Sequence, residues 1–165
     1  MPSVLVTYDS KHGSTAQVAQ TVADTLRGVG LDVHVEPVDQ VRDLAQADAV
    51  VLGAPVYMGR WTKGARALLA DHSAELAGRP LAVFATGPLH DDPEEFAQAR
   101  RAVEKAIAHV RGVEPCALTI FGGALDPDDH RFPFSRMERA DVRDWDAIRS
   151  WARELPTQLG LLTLA

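Results

Sequence analysis

Val4-Leu5-Val6-Thr7-Tyr8 runs into Asp9-Ser10-Lys11-His12-Gly13-Ser14-Thr15, a buried-strand pattern followed by a turn into a helix. The first five residues form a continuous rather than alternating run, as expected of a strand covered on both faces. Ala49-Val50-Val51-Leu52-Gly53-Ala54, Leu81-Ala82-Val83-Phe84-Ala85 and Ala117-Leu118-Thr119-Ile120-Phe121 repeat that pattern. Leu31-Asp32-Val33-His34-Val35-Glu36 alternates instead and predicts an edge strand. Helical spacing links Ala19, Val22, Ala23 and Leu26, then Phe96, Ala99, Val103, Ile107 and Val110, then Trp145, Ile148, Ala152 and Leu155. Pro156 is expected to kink or end the last helix, and a further short helix is expected around Val41 to Ala47. Alternating strands and helices joined by right-handed crossovers demand an α/β fold with a parallel sheet and helices on both faces. Five strands and five helices fit the doubly wound order 2-1-3-4-5.

The 165 residues suit one domain spanning 1–165, with 46% hydrophobic and 24% charged residues as in ordinary globular chains. A net charge of −6 gives nothing to hold a phosphodiester backbone, so nucleic acid is not an expected partner. The single Cys116 excludes an internal disulfide framework and Cys-rich metal sites, and it is expected in the core as a small residue. Neither a leader nor a run near the roughly 18 apolar residues of a membrane span is visible, which gives the expectation of a soluble cytoplasmic protein. The six histidines show no ligand spacing, so no metal is assigned. The apolar tail, residues 159–165, is open to three readings: packing on the domain, pairing in a homodimer, or mobility.

In such a sheet, ligands bind beyond the carboxyl ends of the strands, where the strand order reverses. The Asp9–Thr15 loop there offers hydroxyls and backbone N–H groups at a helix N-terminus, a cradle for one phosphate or else an ordinary capped turn, with Ser14 and Gln17 spaced as a capping box. The G-x-G-x-x-G and G-x-x-x-x-G-K-[ST] fingerprints are missing, and no Cys occupies this loop to serve as a phosphatase nucleophile. The third strand exits through Pro55-Val56-Tyr57-Met58-Gly59-Arg60-Trp61, which brings flat apolar groups beside the cradle, as an isoalloxazine ring requires. Tyr57 is the expected stacking residue, while Trp61 is read as core. Thr86-Gly87-Pro88-Leu89 supplies a small-residue turn by which backbone can approach the other ring edge.

Together these loops resemble the flavodoxin superfamily across the whole chain, with Ser10-x-x-Gly13-x-Thr15 in the position of its FMN phosphate loop. Tyr8-x-Ser10-x-x-Gly13-x-Thr15, Phe121-Gly122-Gly123-Ala124-Leu125 and Asp144-Trp145-x-x-Ile148-x-x-Trp151-Ala152-Arg153-Glu154 are similar to the quinone-dependent protoporphyrinogen dehydrogenase branch. The resemblance implies FMN as cofactor, its phosphate held by Ser10, Lys11, His12, Gly13, Ser14 and Thr15. It implies a ring flanked by Pro55, Val56, Tyr57, Met58, Gly59 and Arg60 on one side and Thr86, Gly87, Pro88 and Leu89 on the other. The implied function is passage of electrons from an organic donor through FMN to a quinone or other acceptor, with peripheral membrane contact open. Two further readings stay open, a flavodoxin-type carrier for a redox protein and a flavin-free interaction module.

The chain departs from that branch after strand five, where a long helix-bearing insert is cut to residues 126–141. Asp126, Asp128 and Asp129 open this loop with negative charge, Arg131 and Arg136 counter it, and Phe132 and Phe134 are read as an apolar wall. Arg60, Lys63 and Arg66 place cations after the third strand, where the resemblance to electron carriers would call for acids. Such cations favour an anionic reduced ring and raise its potential. Gly59 is suited to a peptide that turns its carbonyl toward a reduced flavin N5–H.

Overall fold

The computed structural model describes residues 1–130, 132 and 134–162. Strand β1 (Ser3–Tyr8) leads into helix α1 (Ser14–Gly28) and returns as β2 (Asp32–Pro37). Then follow β3 (Ala49–Tyr57), a two-residue β4 (Arg60–Trp61), α2 (Lys63–Asp71), α3 (Ser73–Ala77), β5 (Leu81–Thr86) and α4 (Pro93–Ala108). The chain ends with β6 (Ala117–Phe121), β7 (Ala124–Leu125), β8 (Ala140–Asp141) and α5 (Trp145–Gln158). The parallel sheet has the order β2-β1-β3-β5-β6, with the alternating strand at its edge as the sequence predicts. Counting only the long strands, this is the 2-1-3-4-5 winding.

Continuous apolar runs arise because both faces are buried. Val4, Val6, Val51 and Phe84 point toward α1 and α5, while Leu5, Val50, Leu52 and Val83 point toward α2, α3 and α4. Gly53 stands opposite Phe84 in the register, and the Phe84 ring fills the space that any side chain at position 53 would need. That ring packs on Phe121 and edge-on to Trp151, with centroids 5.9 and 6.0 Å away.

Four expectations need correction. No helix forms over Val41 to Ala47: a single 3₁₀ turn, Val38–Gln40, is followed by irregular chain. Arg79 and Glu75 hold that chain by side-chain bonds to the Ala47 carbonyl and the Leu44 N–H, satisfying backbone that a helix would otherwise pair. Pro55–Tyr57, read as loop, extends β3, which then folds back on β4 as an antiparallel hairpin. Pro156, expected to kink or end the last helix, does not end it: it lies inside α5, which runs two residues past it to Gln158. Cys116 is exposed rather than core, just ahead of β6, with its N–H on the Leu81 carbonyl. In the tail, Leu159 is buried and Leu161 packs on the core, whereas Thr163, Leu164 and Ala165 lie outside the described residues.

Candidate functional site

The turn from β1 into α1 is set by Gly13, whose φ of 89° is a left-handed conformation that glycine adopts without cost. Its N–H donates to Ser10 Oγ at 3.0 Å, closing the loop on itself. The expected capping box does not form: Gly13 is the N-cap, Ser14 is already helical, and the helix has neither a side-chain cap nor an acidic residue in its first turn. The Gln17 N–H is the first to find a helical carbonyl, that of Gly13. The N–H groups of Ser14, Thr15 and Ala16 therefore have no acceptor among the described residues. A positive helix end with vacant donors and no protein anion suits a phosphate. Ser10 and Ser14 are half-buried beside it, Lys11 and His12 exposed. Thr15 is different, since its hydroxyl is buried and lies 2.8 Å from that of Thr86. Its backbone N–H stands among the vacant donors of the turn.

The second wall is the β3–β4 hairpin. Met58 and Gly59 occupy its two-residue turn with φ of 51° and 76°, the type I′ geometry whose twist matches paired strands. Trp61 anchors it, with its ring in the core and Nε1 donating to the Ala54 carbonyl at 3.0 Å. Pro55 is buried, Val56 and Tyr57 are half-buried, Gly59 and Arg60 exposed, and Met58 stands 89% exposed at the tip. Burial, and then the charge of Asp9, push the Tyr57 phenol above its ordinary value, so it stays neutral and able to donate.

Thr86 and Pro88 are buried and Gly87 and Leu89 half-buried on the third wall. The Gly123 N–H donates to the Pro88 carbonyl at 2.7 Å, and a side chain at 123 would crowd the Gly87 backbone at 3.0 to 3.2 Å. Glu95 accepts from the Leu89 and His90 N–H groups, fixing the far end of this turn. Ser14, Pro55–Met58, Thr86, Gly87, Leu89 and Gly123 border one cleft of about 170 Å³. The three loops singled out in the sequence thus meet at the switch point between β1, β3 and β5. On the other side of Tyr57 lies an open groove of about 910 Å³ reached by Lys11, Arg60, Lys63 and Arg66.

Several site features carried no sequence signal. Arg143 lies beside the first turn of α1, and the His12 ring packs against His130 with centroids 3.8 Å apart. The acidic opening of the 126–141 loop is partly offset, because Arg139 pairs with Asp126 and Asp128 at 2.8 and 3.0 Å. Phe132 is exposed with Arg136 over its ring, and Arg131 and the Phe134 side chain lie outside the described residues. No group of three metal-ligating side chains occurs among the described residues, and no helix there is long and apolar enough to cross a membrane.

The flavodoxin domain family model matches residues 5–137. The chain belongs to the flavodoxin domain family. Its cofactor is accordingly FMN, and the vacant α1 donors, the hairpin platform and the small-residue turn fit that molecule. Protoporphyrinogen IX dehydrogenase [quinone] of Escherichia coli K12 is 20% identical over 92% of this chain and 93% of its own length. A flavodoxin of Aquifex aeolicus is 37% identical over a shorter stretch, 36% of this chain and 34% of its own. Among solved structures, flavodoxin 1 from Bacillus cereus superposes with a TM-score of 0.63 at 15% identity, covering 98% of this chain and 99% of that one. The Streptococcus pneumoniae TIGR4 flavodoxin superposes at 0.59 and 21%, covering 94% and 99%. These structural likenesses bear on the fold.

Proposed function

We propose that this flavodoxin domain is an FMN-dependent oxidoreductase that draws electrons from an organic donor and delivers them to a quinone or comparable acceptor. The observation that carries this reading is the charge beside the hairpin. Lys11, Arg60 and Lys63 are exposed, reach one groove behind Tyr57 and make no ion pair among the described residues, in a chain of net charge −6. Cations not engaged in an ion pair, even though screened by solvent, favour negative charge on a reduced ring or an anionic donor beside them. The 20% identity to a protoporphyrinogen dehydrogenase over 92% of the chain supports the same direction.

FMN, when bound, supplies the ring that accepts and returns electrons. The protein binds and orients it: Ser10 and Ser14 through hydroxyls, Gly13, Ser14 and Thr15 through backbone, Lys11 and His12 through charge or hydrogen bonding at the phosphate. Pro55, Val56, Tyr57, Met58, Gly59 and Arg60 cover one side of the ring, and Thr86, Gly87, Pro88 and Leu89 border the other. Tyr57 and Met58 exclude water from the ring, and the Gly59 peptide is free to turn toward its edge. The overall exchange balances without another reactant, since the donor loses two electrons and two protons and the quinone takes up the same.

Steady-state quinone reduction by the FMN-loaded protein tests the reading. Rates that saturate with quinone concentration and fall in Arg60→Gln support it. The second reading, an electron carrier for a protein partner, draws on the acidic overall charge and the flavodoxin family. It prevails if every quinone is inert while a redox protein is reduced.

A further inference from the structure

Arg143 is one of the least exposed cations of the chain, at 10%, and each of its three guanidinium nitrogens is used. Nε and Nη2 both donate to the Asp141 carboxylate, at 2.9 and 2.7 Å, a fork that matches carboxylate geometry. Nη1 reaches across 126 residues of sequence to Gln17 Oε1 at 2.6 Å, and contacts the Ser14 carbonyl at 3.3 Å. The Trp145 ring lies under the guanidinium, 4.8 Å from Cζ, and limits its swing. Asp141 in turn belongs to β8, which pairs with β7 at the exit of the sheet. Arg143 therefore fastens the β7–β8 hairpin to the first turn of α1, the turn whose N–H groups lack acceptors among the described residues.

A cation at a helix N-terminus opposes the helix dipole, and this helix has no acidic residue in its first turn to offset it. Asp141 cancels part of that cost, and an anion seated on the free N–H groups would cancel the rest. We propose that Arg143 is a positioning residue for flavin phosphate recognition: it holds the Ser14–Gln17 turn in register, so that phosphate binding and docking of the β7–β8 hairpin strengthen each other. Arg143 does not touch the phosphate. It acts through Ser14 and Gln17, and a ligand that binds only the docked state stabilises that state by mass action. The inference rests on the FMN phosphate lying at the α1 N-terminus, as given under Proposed function.

The test compares FMN with riboflavin, which has the ring and lacks the phosphate, by titration of the full chain and of Arg143→Leu, Arg143→Lys and Gln17→Leu. The expected result is a drop of about tenfold in FMN affinity in Arg143→Leu, a tenfold change being about 1.4 kcal/mol. Riboflavin affinity stays as in the unaltered chain, and Arg143→Lys recovers only part of the loss because its single ammonium cannot make the fork. Gln17→Leu, which leaves Asp141 and Trp145 untouched, loses FMN affinity in the same selective way and decides the matter should Arg143→Leu fail to fold. Hydrogen exchange gives an independent reading: FMN slows exchange at Ala140–Arg143 in the unaltered chain and not in Arg143→Leu. Equal losses for FMN and riboflavin, or an unchanged preference for FMN in the variants, overturn the role of Arg143. If the unaltered chain itself fails to prefer FMN over riboflavin, the placement of the phosphate is wrong instead.

Discussion

The hydroxyls of Thr15 and Thr86 share a hydrogen bond of 2.8 Å, with both residues at most 2% exposed. It couples the first turn of α1 to the end of β5, so the loop that receives the phosphate and the loop beside the ring move as one piece. Thr86→Val leaves the Thr15 hydroxyl buried without a partner and is expected to cost about 1–3 kcal/mol. The double variant Thr15→Val/Thr86→Val removes both polar groups and costs less than the sum of the two single changes. Denaturant unfolding of the three variants measures this, and strict additivity would show the bond to be idle.

Met58 holds a left-handed φ of 51° with an apolar side chain 89% exposed, an unfavourable arrangement for stability alone. Met58→Asn gives the turn an Asn-Gly pair suited to type I′ geometry and should stabilise the apoprotein by about 1 kcal/mol. FMN affinity should fall at the same time, because the change removes the apolar tip of the platform. Gly59→Ala, at φ 76°, should change stability by a similar amount in the opposite sense. Thermal unfolding and FMN titration of both variants read the two effects separately.

Lys11, Arg60 and Lys63 form no ion pair among the described residues, although Asp9 and Asp39 line the same groove, and neutralising them should lower the flavin potential. Each exposed charge is worth about 0.5 kcal/mol at such a site, or roughly 10 mV for a two-electron couple. Lys11→Gln/Arg60→Gln/Lys63→Gln should then shift the midpoint down by about 30 mV, and by less at high salt. Anaerobic redox titration at two ionic strengths checks both parts.

Glu75 supports the irregular chain between β2 and β3. Hydrogen bonds from His72 and then from the Leu44 N–H hold its carboxyl below the ordinary glutamate range. Folding therefore favours the ionised form. That contribution is complete above the ordinary carboxylate value and is lost as pH falls through the lowered one. Glu75→Gln should flatten the loss of stability in this acid window and leave neutral-pH quinone turnover unchanged, as measured by unfolding across a pH series.

The strand order was readable because four unbroken apolar runs and one alternating run leave little choice of layers. The three site loops were readable because a parallel doubly wound sheet sends its ligand contacts to known strand ends. The crossover at 41–47 misled because Val41, Leu44 and Ala47 carry helical spacing, yet Leu44 alone is buried and side chains from α3 and the turn after it supply its hydrogen bonds. The Thr15–Thr86 hydrogen bond had no local signal, because nothing near Thr15 in the sequence shows that Thr86 stands opposite it. Arg143 had no signal at all, since its role depends on Ser14 and Gln17 far away in the chain.

Purified protein mixed with excess FMN, then desalted and examined by visible spectroscopy, tests the reading of the three loops most directly, with FAD and riboflavin treated identically. Stoichiometric retention of FMN, with riboflavin washed away, is the expected result. Loss of FMN on desalting, or retention of riboflavin as firmly as FMN, would contradict a phosphate seated on the Ser10–Thr15 turn.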